Sequence, residues 1–154
     1  MEENNLNHYY KNGLLIGTVS CSFKCLHEQN LPITICQNSH IAILPTIEED
    51  IDFIIKKYNN NKLQECVIFA GLEPFDQFQE IYKFIEIFRN SRNDDIVIYT
   101  GYEEKELKDI ILKLKKYSNI IIKFGRFIKN SEKIFDNVLK VSLASKNQYA
   151  IKIS

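Results

Sequence analysis

The sequence predicts an α/β fold: a partial, open (β/α) barrel of about four to six mostly parallel strands. Three observations predict it. Short, continuously apolar runs such as Cys66-Val67-Ile68-Phe69-Ala70 read as strands buried on both faces. They alternate with segments whose apolar residues recur at helical spacing. At 154 residues the chain is one domain long and too short for eight strand–helix units.

In order, residues 1–9 read as a polar tail, with a short extended piece at His8-Tyr9-Tyr10, and residues 10–154 as a single domain. Strand one covers Gly13 to Thr18. A cysteine-bearing loop follows and runs to Leu44. Thr46 and Glu49 are spaced as a capping box, so a helix is expected from Pro45-Thr46 onward. Ile47, Ile51, Ile54, Ile55 and Tyr58 line it, and Asn59-Asn60-Asn61 ends it. Strand two, Cys66 to Ala70, ends at Gly71-Leu72-Glu73-Pro74. Helix two spans Phe75 to Asn90, with Phe78, Ile81, Tyr82, Ile85 and Phe88 on one face. Strand three is Asp95 to Tyr99, and helix three Glu103 to Tyr117, acidic at its start and lysine-rich at its end. Strand four is Ile120 to Phe124. Beyond it, a helical turn is expected over Ser131 to Asn137. Two strands, Val138 to Leu143 and Gln148 to Ile153, are expected around Ser145-Lys146-Asn147.

Lysine plus arginine and aspartate plus glutamate number 20 each, and this balance argues against general nucleic-acid binding. No apolar run is long enough for a bilayer. Met1-Glu2-Glu3-Asn4-Asn5 is unlike a signal peptide, so a cytoplasmic protein without a membrane partner is expected, with its thiols reduced.

The chemistry concentrates at the strand ends. Three of the four cysteines, Cys21, Cys25 and Cys36, fall in the loop after strand one. Strand two delivers Gly71 and Glu73, strand three Thr100, Gly101 and Tyr102, and strand four Lys123, Gly125 and Arg126. In a curved parallel sheet these loops meet on one rim. Three gathered cysteines in a reducing compartment suggest an iron–sulfur cluster. They are one ligand short of a four-iron cluster held wholly by protein. An open iron takes solvent or substrate, for example an amino acid's amine and carboxylate, and Glu73 would accept from the amine. The rival is a non-catalytic module in which the same cysteines bind a cluster, or bind zinc with His27 or His40. Cys66 reads as a small buried hydrophobe. The plain readings of the rest are a helix-start carboxylate for Glu73, a strand-to-helix turn for Thr100-Gly101, packing for Tyr102, and solvated cations for Lys123 and Arg126. Lys113-Leu114-Lys115-Lys116 reads as a solvated helix end.

Taken together and in order, these segments resemble the radical S-adenosylmethionine superfamily, and within it the small anaerobic ribonucleotide-reductase activating proteins. The resemblance covers residues 10 to 152. Cys21-Ser22-Phe23-Lys24-Cys25 matches the first half of that family's C-x3-C-x2-C loop, and Cys36-Gln37-Asn38 resembles the Cys-His-Asn that closes it. Gly71-Leu72-Glu73-Pro74 resembles its Gly-Gly-Glu-Pro turn. Ile98-Tyr99-Thr100-Gly101-Tyr102 with Glu106-Leu107, Gly125-Arg126-Phe127 and Ser145-Lys146-Asn147-Gln148 resemble later stretches. Three positions depart from the pattern. Glu28 stands where the third cysteine belongs, Leu72 replaces the second glycine, and Lys123-Phe124 replaces a late aspartate. The resemblance implies a [4Fe-4S] cluster on Cys21, Cys25 and Cys36, with S-adenosyl-L-methionine on the fourth iron. Glu73 would hold the methionine amine, Gly71 would admit the backbone, and Thr100 and Arg126 would contact ribose and carboxylate. The adenosine would lie against the loops after strands three and four, where Gly101 and Tyr102 stand. It implies reductive cleavage to a 5′-deoxyadenosyl radical, an electron donor such as flavodoxin or ferredoxin, and a glycyl-radical enzyme, like anaerobic ribonucleotide reductase, as partner.

Overall fold

The computed structural model describes residues 9–154. Strand β1 is Gly13–Thr18. The cysteine loop after it holds two single-turn helices, α1 (Lys24–His27) and α2 (Ser39–Ala42), with a 3-10 turn, Ile33–Ile35, between them. Then come α3 (Ile51–Asn60), β2 (Cys66–Gly71), α4 (Phe78–Phe88), β3 (Asp95–Tyr99), α5 (Lys108–Leu114) and β4 (Ile120–Phe124). Three short strands finish the chain: β5 (Ile134–Asp136), β6 (Val141–Leu143) and β7 (Tyr149–Lys152).

The main sheet has five strands in the order β1-β2-β3-β4-β7. The first four are mutually parallel, and β7 is antiparallel to β4. Its alternating side chains build two cores. Val67, Phe69, Ile96, Ile98, Ile120 and Ile122 share one cluster with Ile55 and Tyr58 of α3, Phe84 and Phe88 of α4, and Leu114 of α5. Cys66, Ile68, Ala70, Val97 and Ile121 share the other with Tyr9, Leu139, Leu143 and Ala150.

The mostly parallel α/β architecture matches expectation, and the barrel does not appear. After β4 the chain adds no further helix. It folds the β5–β6 ribbon and returns as an antiparallel edge strand, leaving an open sheet.

Other details also differ from the sequence reading. Helix α3 starts at Ile51, capped by Asp50, whose Oδ1 accepts from the amides of Asp52 and Phe53. Thr46 and Glu49 form no cap, and Ile47 is exposed. Two competing caps lay four residues apart, and the later one starts the helix where Ile51, Ile54, Ile55 and Tyr58 reach the core. The first turns of helices two and three are 3-10 turns, Pro74–Gln77 and Glu104–Glu106. The turn expected over Ser131 to Asn137 contains strand β5, which pairs with β6, so β6 and β7 make no hairpin. Tyr9 and Tyr10 lie in a bend, not an extended piece, and Tyr9 is buried with its hydroxyl donating to Asp95. The rest of the expected tail, His8 included, lies outside the described residues.

Candidate metal centre

Parallel strands put all their carboxyl ends on one side, and here that side carries the chemistry. The loop after β1 is fastened to the turn after β2. Leu72 and Glu73 donate their amides to the Thr18 and Ser20 carbonyls. Gln77 Oε1 accepts from the Val19 and Ser20 amides, and Asp76 Oδ2 from the Ser22 amide at 2.8 Å. Gly71 has φ +96°, and a Cβ there would stand 3.0 Å from the backbone N and O of Thr18, so glycine is needed for this close approach.

Cys21, Cys25 and Cys36 are free thiols, each partly buried. Cys21 Sγ accepts the Phe23 amide at 3.2 Å, an arrangement that uses Phe23 at φ 52°. Cys36 Sγ accepts the Asn38 amide at 3.4 Å. Such N–H···S contacts favour thiolate and tune cluster potential. Burial pushes Cys21 up to about 11, opposed by the Phe23 amide. Burial, then the neighbouring Cys36, raises Cys25. Cys21 and Cys25 without metal therefore favour the protonated thiol, and metal binding must displace those protons.

Glu73 is the buried carboxylate of the rim. Its Oε1 accepts from the Phe75 amide and the Thr100 hydroxyl, and its Oε2 from the Gly101 amide at 2.8 Å. Three of about four acceptor positions are thus filled. Burial raises its pKa, and those three bonds oppose the rise. The plain reading, a carboxylate at a helical start, is correct as far as it goes, since Glu73 caps the turn at Pro74.

The neighbours are more engaged than the sequence suggests. Thr100 donates to Glu73 and accepts the Tyr102 amide. Tyr102 donates to Asp76 Oδ1 at 2.6 Å, and the Lys24 ammonium stands 4.7 Å from its ring centre. Arg126 is no solvated cation. It makes a bidentate pair with Glu106 at 2.7 and 2.8 Å, and its Nε lies 2.8 Å from Glu28 Oε2, close but off hydrogen-bond alignment. That pairing holds Glu106 down to about 2. Lys123 is likewise buried, not solvated.

Cys21, Ser22, Lys24, Cys25, Glu73, Gly101, Tyr102 and Arg126 enclose a cavity of about 30 Å³. Cys36 is outside this lining. Among the described residues no three His, Cys, Asp or Glu side chains gather around a single metal ion. A cluster imposes a different demand, because each cysteine binds its own iron and the sulfurs need not meet at one point. Three unpaired, partly buried thiols on one loop, two of them accepting amides, fit such a group.

The model of the 4Fe-4S single cluster domain family matches residues 15–150. The chain belongs to that family. The match runs from within β1 to within β7, so the single-cluster domain is the fold itself and not an insertion in it. No curated protein and no solved structure matches the chain. A 4Fe-4S domain therefore stands here.

Sequence reading missed Asp76, Gln77 and Gln29, and met Asn38 only within the Cys36-Gln37-Asn38 stretch, without a role. Asn38 donates its side-chain amide to the Gly71 carbonyl. Gln29 donates to the Cys25 and Phe127 carbonyls and accepts the Lys129 amide. Each ties the cysteine loop to a neighbouring strand end. Asn38 and Gln77 carried a signal, standing two and four residues from Cys36 and Glu73. Gln29 carried none.

Proposed function

We propose that this 4Fe-4S protein is a radical S-adenosylmethionine enzyme. One electron would pass through its cluster to S-adenosylmethionine, breaking the sulfur–carbon bond to give methionine and a 5′-deoxyadenosyl radical that abstracts a hydrogen atom. The observation that carries the reading is one cavity lined by both Cys21 and Cys25 and by the buried carboxylate Glu73. The bound cluster supplies the electron and an open coordination position. The chain supplies the rest. Glu73 Oε2 has room for one further donor, suited to an ammonium. Phe75, Thr100 and Gly101 fix that carboxylate. Gly71 holds the two loops in contact. The cavity is smaller than S-adenosylmethionine, so entry requires the cysteine loop to part from the other rim loops. Lys24–Glu106 at 3.4 Å and Arg126–Glu28 are the ion pairs that would open. Thr100 and Arg126 reach ribose and carboxylate only by exchanging their present partners. The rim of an open sheet leaves room for a macromolecular hydrogen donor, for which a glycyl-radical enzyme of the anaerobic ribonucleotide reductase type is proposed. A flavodoxin or ferredoxin would supply the electron.

The test is anaerobic reconstitution, dithionite reduction and incubation with S-adenosylmethionine. 5′-Deoxyadenosine is expected. Glu73→Gln should weaken S-adenosylmethionine binding by about 10- to 100-fold, the worth of a charge-assisted hydrogen bond. A glycyl-radical signal in a co-incubated reductase would support the partner. A loaded, reduced protein that makes no 5′-deoxyadenosine would leave the second reading, a non-catalytic cluster module. The small cavity and the engaged Thr100 and Arg126 favour that alternative.

A further inference from the structure

Among the described residues Lys123 is the only buried lysine or arginine. It lies at the carboxyl end of β4, level with Tyr99 in the neighbouring strand. Its ammonium donates to the Gly125 carbonyl at 3.1 Å and, at 3.4 Å, to the Thr100 carbonyl. The Tyr99 ring centre is 5.9 Å away. Among the described residues no carboxylate lies within 4.0 Å of it. A buried charge held by two carbonyls, without an ion pair, is a costly arrangement. Burial lowers its pKa to about 8, and the Glu73 carboxylate acts against that. At pH 7 the group is mostly a cation, facing a rim that holds a carboxylate and thiols.

A four-iron cluster on three thiolates is an anion, and reduction adds a further negative charge. The net charge around a cluster is one of the main settings of its potential. A cation already inside the protein, screened little by solvent, favours the more negative state. Lys123 is not among the residues lining the cavity. It would therefore act through its field, without touching iron or substrate.

We propose that Lys123 is a built-in counter-charge for the cluster, raising its reduction potential and so favouring the reduced form. This rests on the cluster being held by Cys21, Cys25 and Cys36. The experiment uses the full chain, reconstituted anaerobically as wild type, Lys123→Met, Lys123→Gln and Lys123→Arg. Iron and sulfide are counted, and each midpoint is titrated at pH 7 without S-adenosylmethionine, following the reduced cluster by electron paramagnetic resonance. In the Met and Gln variants the ratio of reduced to oxidised cluster at a fixed potential should fall about tenfold, a shift of ~59 mV for one electron. Loaded Met and Gln variants with the wild-type midpoint would overturn the proposal and leave the cluster reading intact. Should neither neutral variant load iron while Lys123→Arg does, the cation is needed to hold the anionic cluster, which supports it. Should all three fail to load, Lys123 serves packing and the proposal falls. A wild type that binds no iron would remove both readings together.

Discussion

The two ends of the sheet handle buried charge in opposite ways. At the amino end, Asp95 begins β3 with its carboxylate inside the protein. It accepts the Tyr9 hydroxyl at 2.9 Å and the Lys11 ammonium at 2.6 Å, with the Lys152 ammonium 3.8 Å away. These partners hold its carboxyl below the usual range despite burial. At the carboxyl end, Glu73 is buried among neutral donors and its pKa is raised. Lys123 is buried against carbonyls and its pKa is lowered. One end satisfies its charge from within. The other keeps a carboxylate and a cation buried without an ion pair, beside three free thiols. That difference is what the proposed site rests on, more than on any single motif.

The largest effect should come from breaking the carboxyl end. Cys21→Ser, Cys25→Ser and Cys36→Ser should each lose most of the iron and sulfide bound on anaerobic reconstitution, because serine is a poor replacement for thiolate at iron. Cys66→Ser should keep the wild-type complement. Cys66 is buried at the amino end of β2, where its thiol donates to the Asn12 carbonyl at 3.7 Å. Full iron in Cys36→Ser would remove that residue from the ligand set.

The next effect belongs to the amino end. Asp95→Asn should leave iron binding unchanged and cost about 1.5–3 kcal/mol in denaturant unfolding at pH 7, the range for hydrogen bonds to a charged group. The sign with pH is fixed. The folded-state pKa lies below the unfolded value, so the contribution is fully present above about 3.9. It is lost as pH falls through the folded value. Wild-type and Asp95→Asn stabilities should therefore converge in acid. Curves that stay parallel down to pH 3 would mean that Asp95 acts by shape and not by charge.

How much of this was legible beforehand follows from which forces are local. Strands β3 and β4 were readable to the residue, and β2 to within one, because strands buried on both faces are continuous apolar runs. Convergence of the strand-end residues also followed from parallel order alone. The cap of α3 was not readable, since Thr46 and Asp50 both satisfy the local rule and only packing of Ile51, Ile54 and Tyr58 decides. The strands expected over Val138 to Leu143 and Gln148 to Ile153 contain β6 and β7, but the helical turn expected over Ser131 to Asn137 was misread because β5 is three residues long and takes its identity from its partner β6. In the site, residue types were legible but their partners were not. Arg126 looked available until Glu106 and Glu28, 20 and 98 residues away in sequence, closed on it.

The smallest effect sharpens what holds Asp95. Lys11 lies 2.6 Å from it with its side chain 30% exposed, whereas Lys152 is 3.8 Å away and 49% exposed. Solvent screens the longer, more open pair. Lys152 also donates to the Asn119 side chain at 2.8 Å, another solvent-exposed contact that water can replace. Lys11→Ala should therefore cost about 1 kcal/mol and move the acid limb of the stability profile toward higher pH. Lys152→Ala should stay within about 0.5 kcal/mol at all pH values. Equal losses in the two variants would mean that Asp95 is held by the field of both lysines together and not by one short pair. In that case both losses should shrink in parallel as salt is raised, since a distributed field is screened over about 10 Å at 0.1 M and a short contact is screened far less.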